Sequence, residues 1–144
     1  MARICGAEIT RVTIVDDEKT WGRVSYDMPY RDMHWHRYAC AFAGPYSSRW
    51  TGDETLGCRG GDPDSDIGRM DDCINKISEA EGADGLVGRI RDWEAKCESV
   101  LWLLEKQVMA LAKELLKRKT MSGAEVEAFL AEYSKQKELE TTHG

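Results

Sequence analysis

WEAKCESVLWLLEKQVMALAKELL, residues 93–116, decides the fold. Trp93, Cys97, Val100, Leu101, Leu104, Val108, Leu111, Ala112 and Leu115 recur three and four residues apart. That period gathers apolar side chains on one face of a helix. The segment predicts one long helix near residues 86–119, with Gly85 and Gly88 at a loose start. A second apolar set, Trp102, Met109 and Leu116, recurs every seven residues nearly opposite the first. A helix apolar on two sides is either sandwiched or offers one side to a partner. Cover by the final helix and the hairpin is the plain reading of this second set. A protein-contact face, where Trp and Met are enriched, is the functional one. Glu98 and Glu105 flank the set and would form its charged rim.

Working outward, Ser122 and Glu125 have capping-box spacing and open a last helix that buries Val126, Phe129, Leu130 and Tyr133. Residues 135–144 read as a polar, frayed tail. On the N-terminal side, Ser65 or Asp64 can cap a helix whose apolar stripe is Ile67, Met70, Ile74 and Ile77, ending near Glu81 and Gly82. Before it lies a Gly-rich loop over 46–64 anchored by Trp50, long enough to suggest function. Residues 30–43 read as a helix stopped by Gly44 and Pro45. Residues 8–26 read as a β-hairpin. Simple alternation puts Ile9, Arg11, Thr13 and Val15 on one side of its first strand, with Thr10, Val12 and Ile14 on the other. The fold class is therefore α+β, mainly α: a short hairpin followed by about four helices, forming one domain over 1–134 and a tail over 135–144.

Composition narrows the function. The 144 residues are enough for a real core. No apolar run reaches the roughly 20 residues needed to span a bilayer, and the first residues lack the apolar stretch of a signal peptide. The cysteines Cys5, Cys40, Cys58, Cys73 and Cys97 are odd in number and include no CxxC pair. This predicts free thiols in a reducing, cytoplasmic setting. A net charge of −6 repels phosphate backbones and favours a basic protein surface as partner. The cluster Lys113, Lys117, Arg118 and Lys119 complements the C-terminal dipole of the long helix rather than marking a nucleic-acid site.

Three blocks, in order, resemble one family. Ile9-Thr10-Arg11-Val12-Thr13-Ile14-Val15, then Trp21-Gly22-Arg23-Val24, is similar to the strand pair that follows the catalytic helix of FtsH-type zinc peptidases. Ala43-Gly44-Pro45 resembles that family's small-residue segment ahead of a Gly-rich loop. Asp64-Ser65-Asp66-Ile67-Gly68-Arg69 resembles its loop-to-helix step. The long helix and Thr120-Met121-Ser122-Gly123-Ala124-Glu125-Val126 fit its C-terminal helix pair. The resemblance implies a peptidase-like scaffold on which Asp66 takes the place of the last zinc ligand. The family's HExxH motif, whose two imidazoles hold zinc beside a water-activating Glu, has no counterpart here. By the alignment of these blocks it would fall just ahead of Met1, because residues 2–7 look like the end of the helix that carries it. The ATPase domain that precedes the peptidase in that family also has no counterpart.

Asp66 alone cannot hold zinc, and its plain role is to sit at a helix N-terminus. His34 and His36 would share a metal on a strand, but on the expected helix they lie about 200° apart. As a cysteine nucleophile only Cys58, beside Arg59 in the Gly-rich loop, is a candidate, and no orienting base accompanies it. No GxSxG elbow, Walker loop or dinucleotide fingerprint is present. No catalytic or cofactor-binding residue is assigned. The expectation is a non-catalytic, acidic protein-binding module, an inhibitor or adaptor of the type a mobile element could direct at a host defence complex. Its partner would be a protein, including another copy of itself. The alternative is a zinc metallopeptidase whose HExxH helix lies outside this chain, with Asp66 as its one ligand here.

Overall fold

A computed structural model describes residues 1–15, 23–30, 32–52 and 63–142, the side chains of 140–142 apart. The expected turn at 16–19, Trp21, Gly22, the Gly-rich stretch with Cys58, and His143 lie outside the described residues. The protein is mainly helical with a small antiparallel sheet, as the α+β reading expects. It divides into two compact units, Met1–Gly6 with Met28–Leu103 and Ala7–Asp27 with Leu104–Gly144. Each is built from two separate stretches of chain.

In the first unit an N-terminal turn, closed by the Cys5 amide donating to the Met1 carbonyl at 3.0 Å, precedes helix α1, His34–Ser48. The expected stop at Gly44 and Pro45 is overturned, because α1 passes through Pro45 to Ser48 and continues as a 3-10 turn over Arg49–Thr51. Proline inside a helix removes one backbone bond and crowds the preceding turn. Side chains offset that loss here. Tyr38, Phe42, Tyr46 and Trp50 sit four residues apart, with successive ring centroids at 6.4, 5.7 and 6.2 Å. This ladder of aromatic contacts runs along one face across the proline. Ser48 also donates its hydroxyl to the Pro45 carbonyl at 2.7 Å. Gly52 in the left-handed region then ends the run. The start at His34, rather than at residue 30, follows Met33 without a side-chain cap.

Helix α2, Asp66–Glu81, packs on α1. Ser65 is its cap and accepts the Gly68 amide at 3.1 Å, so of the two expected candidates the serine serves. Gly82, at φ 84°, stops the helix and donates to the Ser78 carbonyl. Helix α3, Leu86–Arg118, follows Gly85 at φ 66°. Up to Leu103 it belongs to the first unit and from Leu104 to the second.

The second unit holds strands β1, Glu8–Thr13, and β2, Arg23–Asp27, paired antiparallel as the hairpin reading expects. A third strand, β3, Thr120–Ser122, joins the other edge of β1 and gives the order β2-β1-β3. The expected alternation in β1 fails at a bulge between Ile9 and Arg11. One extra residue reverses the facing of every later side chain on the strand. Ile9 therefore shares the core side with Val12 and Ile14, packed on Leu115, Met121, Val126 and Leu130. Helix α4, Gly123–Thr142, begins with the expected box: the Glu125 amide donates to Ser122 Oγ at 3.3 Å and the Ser122 amide to Glu125 Oε2 at 2.8 Å. It continues helical past residue 135 to Thr142.

Candidate functional site

Asp66 stands in the first turn of α2, where the sequence places it. Its carboxylate fills the space that Gly44 leaves on α1, and a methyl group at Gly44 would collide with Asp66 Oδ2. Burial raises its pKa from the ordinary carboxylate value, with Arg69 opposing. The pressure is toward the neutral acid, whereas a zinc ligand must be ionised. Among the described residues no group of three or more His, Cys, Asp or Glu is arranged to hold a metal ion. His34 opens α1, and His36 lies edge-on to Trp93 with centroids 5.9 Å apart.

Three elements of the first unit meet around Trp35 and Trp93. Trp93 Nε1 on α3 donates to the Trp35 carbonyl on α1 at 3.0 Å, and the two indoles make an edge contact at 5.8 Å. Trp35 Nε1 donates to Glu81 Oε1 at the end of α2, whose other oxygen takes Arg89 at 2.6 Å. Tyr38, buried on α1, donates to Glu94 Oε1 on α3 at 2.5 Å. Burial first, and then the Glu94 carboxylate, pushes the tyrosine pKa well above its ordinary value. These bonds clasp α1, α2 and α3, and a phenol held neutral beside a carboxylate is a structural tie rather than a proton shuttle.

The second apolar set of α3 is unevenly covered. Trp102 is 68% exposed and Leu116 61%, while Met109 is half-buried. Leu103, which the periodicity leaves unassigned to either face, is 75% exposed. Leu101, next to Trp102, is 2% exposed. Of the expected core stripe, Cys97, Leu101 and Leu115 are buried and Ala112 is exposed. Glu98 and Glu105 are half-buried, and Lys106 is exposed. Trp102 and Leu103 make an apolar step on the first unit's share of α3, and Leu116 is a separate exposed residue on the second's.

No helix among the described residues is long and apolar enough to cross a membrane. No family model matches the chain, and neither a curated protein nor a solved structure matches it.

Proposed function

We propose that this chain is a non-catalytic, acidic protein-binding module that acts as an inhibitor or adaptor, with Trp102 and Leu103 as its central contact. The exposure of these two large apolar side chains, side by side on a rigid helix, carries the proposal. A solvent-facing Trp beside Leu contributes little to its own unit, and Trp is among the residues enriched at the anchors of protein interfaces. The net charge of −6, with Glu98 and Glu105 near the Trp, favours a partner surface that is basic around an apolar pocket.

The test is reconstitution. Proteins retained by the immobilised chain are purified and titrated back against the parent and against Trp102→Ala, Met109→Ala and Leu116→Ala. The expected result is a stoichiometric complex that Trp102→Ala weakens by at least about 2 kcal/mol, the scale of an interface anchor. A complex indifferent to all three substitutions, or none that survives purification, rejects the reading. The zinc-peptidase alternative has its own readout: one zinc per chain by elemental analysis, lost on Asp66→Ala, would put it first.

A further inference from the structure

We propose that Cys5 and Cys40 form an oxidisable dithiol, a site at which a hydroperoxide is reduced as the two sulfurs join in a disulfide. The placement carries this. Cys5, on the N-terminal turn, is buried in one cluster with Ala39 of α1 and Cys97 of α3, and Cys40 of α1 packs against that cluster with Phe42 and Trp93. Residues far apart in the chain are thus brought to one spot within the first unit. All three cysteines are free thiols.

The three sulfurs are not equivalent. The Cys40 hydrogen bond favours the Cys5 thiolate and pulls the Cys5 pKa below the ordinary thiol value. Burial, with Cys5 as a neighbouring negative charge, pushes Cys97 up to about 11. Cys73 on α2 is also pushed up, by burial and by Asp72. The thiolate is the nucleophile toward peroxide, so Cys5 reacts first. Its sulfur takes one oxygen of the hydroperoxide, the O–O bond breaks, and Cys5 becomes a sulfenic acid as hydroxide or alkoxide leaves and is protonated. Cys40 then attacks the Cys5 sulfur, an S–S bond forms, the S–O bond breaks, and water leaves with the Cys40 proton. Two thiols and one hydrogen peroxide thus give one disulfide and two waters. The disulfide pins the N-terminal turn to α1. Metal capture by the same thiols is the weaker use, because no metal-holding group of three exists among the described residues.

The experiment treats the reduced full chain with stoichiometric hydrogen peroxide and follows it by intact mass and by peptide mapping after alkylation. The expected product has lost two hydrogens and carries a Cys5–Cys40 cross-link, with Cys5 consumed about tenfold faster than Cys73. Cys97→Ser should leave the cross-link intact. Cys40→Ser should stop at a Cys5 sulfenic acid that dimedone traps. The peptide map of the parent protein decides the matter even where a variant misfolds. Oxidation of Cys5 no faster than Cys73, or a dominant disulfide through Cys97 or Cys58, overturns the proposal.

Discussion

Around Met121 and Val126, neither with any exposed surface, the second unit is filled by aliphatic side chains: Val12, Ile14, Leu111, Leu115 and Leu130. Around Tyr38 and Trp93 the first unit is filled by rings, thiols and a carboxylate that hydrogen-bond one another. Apolar burial is non-directional and independent of pH, so the aliphatic interior is tuned by volume alone. The polar interior fixes which side chain faces which, since each buried donor needs its acceptor. In exchange it responds to pH and oxidants, as the first unit's phenol and thiols do.

The largest effect should come from the aliphatic side. Met121→Ala should cost about 2–5 kcal/mol, the range for emptying a packed core site. Gly123→Ala should cost more than a methyl group's volume suggests. The added carbon would collide with the Ile9 carbonyl oxygen on β1, which is backbone and cannot turn aside. Urea denaturation monitored by circular dichroism measures both. A cost below about 1 kcal/mol for Met121→Ala would mean that the aliphatic core is not what holds the second unit.

The polar side should give a smaller loss with a pH signature. Tyr38→Phe removes the donor to Glu94 and should cost about 1.5–3 kcal/mol, the scale of a hydrogen bond to a charged group. Burial and Glu94 raise the phenol's pKa in the folded state. An acid whose folded pKa is raised contributes stability that is complete below its unfolded value, about 10 for tyrosine, and is lost as pH rises beyond it. Thermal melts of parent and variant should therefore converge above about pH 10. A constant gap from neutral pH to pH 11 would break the contrast between the two interiors.

The features of this arrangement that the sequence disclosed rest on local rules. The stripe of α3, the Ser122–Glu125 box and the Ser65 cap depend on residues a few positions apart, and β1 pairs antiparallel with β2, the next strand along the chain. The features it concealed depend on distant residues. β3 is three residues long and exists because β1 pairs with it. The bulge that turns Ile9 inward is stabilised by the core it enters. The passage of α1 through Pro45 had a local signal, the four-residue spacing of Tyr38, Phe42, Tyr46 and Trp50, which the stronger stop signal of Gly44 and Pro45 outweighed. Of the site residues, Asp66 was legible as a first-turn carboxylate, but its seating against Gly44 joins two helices. Cys5 and Cys40 meet only because the N-terminal turn folds onto α1, and no spacing rule reports that. Leu103 shows how coarse a helical stripe is, since one step of about 100° from Trp102 left its facing undecided.

The smallest effect should separate the proposed contact from both interiors. Leu101 and Trp102 are adjacent on α3, one 2% and the other 68% exposed. Leu101→Ala should cost about 2–5 kcal/mol, as any buried leucine does. Trp102→Ala should change the isolated chain's stability by no more than about 0.5 kcal/mol, because most of the indole already faces water and a surface change away from special contacts moves stability little. The larger side chain should thus matter less to folding, an inversion that residue size alone does not produce. Chemical denaturation of both variants, at a concentration where sedimentation shows the chain monomeric, makes the measurement. A Trp102→Ala loss comparable to that of Leu101→Ala would place the indole in a core and remove the basis for a contact at Trp102. A small loss would leave a large apolar side chain that folding does not require, and binding is the use that remains for it.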